Sequence, residues 1–95
     1  MKQPCVYLLA SRPHGTLYVG VTSDLVKRVW QHKNDVCDGF SKKYQVHRLV
    51  WYEPHDSMET AINREKQLKA GSRKRKVQLI EAFNPGWLDL YERIL

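Results

Sequence analysis

The chain has little cysteine. Cys5 and Cys37 match no metal-binding spacing, and nothing reads as a secretory signal. A disulfide scaffold is therefore not expected, and both residues read as reduced thiols in a cytoplasmic protein, with Cys5 packed in a strand. Long apolar runs are also missing. The stretch from Cys5 to Ala10 is far too short to cross a bilayer, so no membrane span is expected. Repeats and low-complexity segments are absent as well. Acidic residues are scarce: 10 Asp and Glu stand against 16 Lys and Arg, for a net charge of +6. That balance favours a polyanionic partner, whose phosphates are neutralised by Lys and Arg with release of counterions, although a solvated basic surface gives the same composition. What remains is the composition of a folded domain, 95 residues at 42% hydrophobic and 27% charged. A chain of this size has room for one core, so residues 1–95 read as one domain.

Cys5 to Ala10 is continuously apolar, and from Thr16 to Thr22 Leu17, Val19 and Val21 alternate with Thr16, Tyr18 and Gly20. Both segments read as strands, joined by Ser11-Arg12-Pro13-His14-Gly15, with Gly15 able to take positive φ. Asp24 to Lys33 reads as a helix with an apolar stripe of Leu25, Val26, Val29 and Trp30, capped by Ser23 or Asp24. Its opposite face carries Lys27, Arg28, Gln31 and His32. Residues 34 to 45 are polar and turn-rich, a loop free to move. Val46 to Glu53 is a third strand stopped by Pro54. Asp56 to Glu59 has capping-box spacing and opens a helix over about 57–70. Gly71-Ser72 separates it from another over 73–83, and an apolar tail from Trp87 to Leu95 follows Asn84-Pro85-Gly86. The fold class is α+β: a small three-stranded antiparallel sheet flanked by helices, in the order β-β-α-β-α-α.

Several residues carry potential chemistry. Glu65 falls on the stripe of Met58, Ala61, Ile62 and Leu68, where an apolar residue is expected. An unpaired carboxylate is costly to bury, so Glu65 is salt-bridged, bent out to solvent, or a metal ligand. Tyr7 and Tyr18 are each ordinary strand residues taken singly. Their index sum is odd, so across a hairpin they share a face only with an even-length loop, or with a bulge such as Gly15 offers. Arg28 and His32 stand at i, i+4, on one side of their helix. Arg28 suits a phosphate through its planar, permanently charged fork. Arg73-Lys74-Arg75-Lys76 is a charge run at a helix start, where the dipole does not favour cations. It is either a phosphate-tracking patch or a solvated face.

Together these residues resemble the GIY-YIG nuclease family. Over nearly the whole chain they look closest to its small single-domain members, which are similar to the N-terminal nuclease domain of the nucleotide-excision excinuclease. Cys5-Val6-Tyr7 stands where the first motif tripeptide belongs and Tyr18-Val19-Gly20 where the second does. Arg28 and His32 match the family's Arg-x-x-x-His helix, and Glu65, in Asn63-Arg64-Glu65-Lys66-Gln67-Leu68, matches its metal-binding glutamate. Asn84 fits the polar residue the family carries near the end of the domain. Cys5 replaces the first glycine, and Val21 follows Gly20 where excinuclease-type members often have a lysine, for which Lys27 is a substitute.

The resemblance implies a divalent-metal-dependent endonuclease acting on DNA, in repair or recombination, with Tyr7, Tyr18, Arg28 and His32 catalytic and Gly20 a structural motif residue. It implies one Mg2+ or Mn2+ on Glu65 and no small-molecule cofactor. Lys27, Arg73, Lys74, Arg75, Lys76 and Asn84 are the expected nucleic-acid contacts, and a protein partner or dimer is left open. A tyrosine titrates near about 10, so it is a poor base at neutral pH unless cations favour its anion. Tyr7 is the first candidate to take the proton from water and Tyr18 the second. Arg28 would stabilise charge on pentacovalent phosphorus, and His32 would orient or relay. One acidic residue argues for one metal, and Mg2+ commonly keeps several waters. Two non-catalytic alternatives stand beside this: a helix-turn-helix around Gly71-Ser72 with Arg73 to Lys76 on phosphates, and a protein-interaction module using Trp87 and Tyr91.

Overall fold

The computed structural model describes residues 2–36 and 39–95. Cys37 lies outside the described residues. The elements are β1 (Cys5–Ala10), β2 (Leu17–Thr22), α1 (Leu25–Lys33), α2 (Phe40–Tyr44), β3 (Arg48–Pro54), α3 (Met58–Ala70) and α4 (Arg73–Phe83), and a 3-10 turn at Tyr91–Arg93 closes the tail. The three strands form one antiparallel sheet in the order β2-β1-β3, the expected α+β architecture. Within the segment 34–45, expected to be loop, the short α2 is an addition, preceded by Gly39 at φ 93°.

The sheet separates two apolar layers because side chains alternate along a strand. Val6, Leu8 and Ala10 of β1 face Ala61, Leu68, Ile80 and Trp87, so α3 and α4 cover that side. Cys5, Tyr7 and Leu9 face Leu25, Val29, Leu49 and Leu90, so α1 and the tail cover the other. β1 is buried along its whole length, which is why it reads as a continuous apolar run. Burial also raises the Cys5 thiol above its ordinary range. No helix among the described residues is long and apolar enough to cross a membrane.

Register fixes which residues share a layer. The β1–β2 loop, residues 11–16, is even in length, and Tyr7 opposes Gly20 with Leu9 opposing Tyr18. Tyr7 and Tyr18 therefore lie on the same face without a bulge at Gly15. The positive φ of this loop belongs to His14, at 58°, and not to Gly15 as expected. Gly15 is needed for closeness instead, since a Cβ there would sit 2.3 Å from Ser11 Oγ. The irregularity lies on the other side of β1, where Leu8 opposes Trp51 and Leu9 opposes Leu49, leaving Val50 as the extra residue of a bulge.

Local capping differs in detail from expectation. The capping residue of α3 is Ser57, whose Oγ accepts from Thr60 N at 3.2 Å, rather than Asp56 paired with Glu59. The tail docks by its polar groups as well as its apolar ones. Leu90 N donates to Leu49 O at 2.8 Å, and Arg48 Nη1 donates to Trp87 O at 3.0 Å. Asp89 accepts from Leu49 N and Tyr91 N and pairs with Lys33 of α1. Trp87 is 2% exposed, so it belongs to the core and offers no surface to a partner protein.

Candidate active site

The β2–α1 junction sets the first part of the site. Thr22 Oγ1 accepts from Asp24 N at 3.0 Å, and Asp24 caps α1 by accepting from Lys27 N at 3.3 Å. This turn feeds α1 onto the Tyr7 face of the sheet with Leu25, Val29 and His32 inward. The sequence places His32 on the polar face with Arg28, and the structure corrects this: His32 is 2% exposed. The inward positions follow i, i+4, i+7, and Trp30, expected in the stripe, is 49% exposed.

Burial brings His32 to Tyr7. The Tyr7 hydroxyl lies 3.0 Å from His32 Nε2, and the Tyr18 ring stands 6.3 Å from Tyr7 and 5.3 Å from His32, centroid to centroid. His32 is pushed down to about 4, first by desolvation, then by the positive charge of Arg28 and by His47. Its imidazole is therefore neutral at pH 7 and able to accept a proton from Tyr7 or donate one to it, according to tautomer. His32 Nδ1 is buried without a hydrogen-bond partner. The half-buried Arg28 lines a polar hollow of about 180 Å³ with Lys27, Gln31 and Asp24.

Gly20 explains itself by position. A Cβ built on it would lie 2.4 Å from both Cζ and Oη of Tyr7, so the phenol ring occupies the space a side chain would need. Tyr7 is 0% exposed, whereas Tyr18 is partly exposed and lines a hollow shared with Lys69 and Lys76. That reverses the expected order of the two tyrosines, because a proton acceptor must be able to touch water.

Glu65 sits on α3, across the sheet from α1. Its side chain is 16% exposed and pairs with Lys69 at 3.4 Å, which matches the salt-bridged alternative for this stripe position. Met58 of the same stripe is 36% exposed, while Ala61 and Leu68 are buried. Lys69 connects Glu65 to the Tyr18 hollow. Among the described residues no three His, Cys, Asp or Glu side chains gather into a metal cage. A lone carboxylate beside solvent still fits a hydrated hard cation such as Mg2+, which takes one or two carboxylates plus waters.

Similarity to known proteins decides the family. Residues 3–78 match the model of the GIY-YIG catalytic domain. The chain belongs to the GIY-YIG family. Among curated relatives, a UPF0213 protein of Staphylococcus saprophyticus is 31% identical over 84% of this chain and 96% of its own. Another, from Syntrophus aciditrophicus, is 34% identical over 85% of this chain and 93% of its own. The solution NMR structure of a UPF0213 protein from Bacillus halodurans aligns with a TM-score of 0.54 at 29% identity, covering 90% of this chain and 88% of that one.

The GIY-YIG match spans both tripeptides, Arg28, His32 and Glu65, but stops short of Asn84. The structure withdraws Asn84 from the nucleic-acid contacts. It is 4% exposed, and its side-chain amide donates to Val50 O and Leu88 O and accepts from Leu88 N. The basic run is divided in role. Arg73 donates to His14 O and Gly15 O at 2.8 and 2.7 Å, tying α4 to the β1–β2 loop, and Lys76 Nζ donates to Gly71 O at 2.9 Å. Lys74 and Arg75 are exposed. Lys69, absent from the sequence-based set, joins the site through the i, i+4 spacing to Glu65 that could have marked it.

Proposed function

We propose that this GIY-YIG protein is a divalent-metal-dependent endonuclease that hydrolyses DNA phosphodiesters. The observation that carries the proposal is the packing of Tyr7, Tyr18 and a neutral His32 in one cluster, with Arg28 on the same helix as His32. These groups divide the work of adding water to phosphorus. Tyr18 faces solvent and takes the proton of the attacking water, with Lys69 supplying positive charge in the same hollow. Tyr7 and His32, hydrogen-bonded behind it, fix the imidazole and pass protons within the cluster. Arg28 binds the non-bridging phosphate oxygens, whose charge grows in the transition state. The leaving oxygen takes its proton from solvent.

Glu65 would hold the metal, with Lys69 released to solvent or to the substrate phosphate. A bound divalent cation supplies Lewis-acid stabilisation of phosphate charge. Lys27, Lys74, Arg75 and the overall charge of +6 supply the electrostatic attraction for DNA. A place in DNA repair or recombination accords with this activity.

The test is cleavage of a panel of labelled DNA structures with and without Mg2+. The parent should cut only with metal. Glu65→Ala should abolish cutting while retaining DNA binding, and Tyr18→Phe should slow it by roughly 10²–10⁴-fold. Undiminished cutting by both variants would overturn the assignment.

A further inference from the structure

The β2 edge and the two helices beside it form a continuous basic surface. Lys76 of α4 lines three adjoining depressions. The first contains Tyr18 and Lys69, and the second contains Thr16 and Arg73. The third is a cleft of about 310 Å³ between α3 and α4. Around that cleft stand the cations Arg75 and Lys76, the amides of Gln67 and Gln78, and an apolar strip of Leu68 and Leu79. Arg64 closes one end. Its Nε donates to Glu53 at 3.2 Å and its Nη1 to Gln67 Oε1 at 2.6 Å, which orients the Gln67 amide.

This mixture of groups selects a ligand class. Charge alone would suit any polyanion. Two amides and two leucines beside the charges suit a unit with a phosphate, an apolar planar face and hydrogen-bonding edges, which is a nucleotide. A cavity of this volume is at the lower end of those that hold small ligands. A base stacked inside a duplex cannot enter such a cleft, whereas an unpaired base can leave its neighbours at little cost. We infer that the α3–α4 cleft lodges one unpaired nucleotide of a DNA strand whose backbone runs over Lys76 from the Tyr18 hollow. The inference rests on the hydrolytic function proposed above and names its substrate class: DNA with a single-stranded segment beside the scissile phosphate. Arg75 and Lys76 take the phosphate, Leu68 and Leu79 take the base face, and Gln67 and Gln78 take its edges.

Binding can be measured without cleavage. Fluorescence anisotropy in EDTA would compare a labelled single-stranded oligonucleotide with a hairpin duplex of equal nucleotide count, for the parent, Arg75→Ala and Gln78→Glu. Both residues are exposed, so both variants keep the fold. The parent should prefer the single strand. Each variant should lose about tenfold in affinity for it, as loss or repulsion of one charge-assisted contact implies, while duplex affinity stays unchanged. Arg75→Ala should also flatten the logarithmic salt slope for the single strand by about 0.7. Equal losses on both DNAs, or no loss on either, would overturn the cleft assignment. A parent that binds single strands through the cleft but cuts no DNA would instead sink the hydrolytic function and leave the cleft standing.

Discussion

Gly20 lacks a side chain because Tyr7 fills the space where one would be. The clash is with the far end of a side chain, which elsewhere would move aside cheaply. Here the phenol is fully buried and held by His32, so it has nowhere to go. Gly20→Ala should therefore destabilise the fold by about 1–3 kcal/mol, a typical cost of overpacking. It should also displace the Tyr7 hydroxyl from His32. Thermal denaturation together with the cleavage assay checks this, and an unaltered melting temperature would show that the strands part without strain. His32 gives a second residue-level prediction. Its native pKa lies near 4, below the 6.5 of an unfolded histidine, so between these values the unfolded chain binds the extra proton. Stability from this group is complete above about pH 6.5 and is lost as the pH falls towards 4, by about 2–4 kcal/mol. Urea denaturation at pH 7 and pH 4 should show a smaller acid loss for His32→Gln than for the parent.

At the scale of elements, legibility followed how strongly local pattern and tertiary burial agreed. β1 was plain because a central strand covered on both faces is apolar throughout. The shared face of Tyr7 and Tyr18 was legible as a condition on loop length, and the length of 11–16 met it. In α1 the periodicity misled. Val26 and Trp30 drew the apparent stripe away from its true line through Leu25, Val29 and His32, because a histidine buried against tyrosine looks polar in sequence. The bulge at Val50 left no signal, since both Val50 and Trp51 suit a strand. For α2, five residues following Gly39 are too short a segment for periodicity to speak. Glu65 was legible as an anomaly, but its link through Lys69 to the Tyr18 hollow depends on how α3 crosses the edge of β2. Family resemblance placed the chemistry, and packing then ranked Tyr18 ahead of Tyr7.

In the whole molecule the tail holds together what the sheet divides. α1 and the helices α3 and α4 cover opposite faces, and the segment after α4 passes between the two layers, with Trp87 in one and Leu90 in the other. Asn84 directs that passage by binding the bulge carbonyl of Val50 and both the N–H and the C=O of Leu88. Asn84→Ala leaves buried backbone groups of both segments without partners, at a cost of about 2–3 kcal/mol. For a domain of this size that lowers the melting temperature by roughly 10–20 °C. A residue that instead met DNA would behave in the opposite way, weakening binding and its salt dependence while sparing stability. The two roles separate cleanly below the transition, where Asn84→Ala should bind DNA with the parent's affinity and salt slope. A variant with unchanged melting temperature and weakened binding would return Asn84 to the nucleic-acid surface and leave the tail's course to its apolar contacts alone.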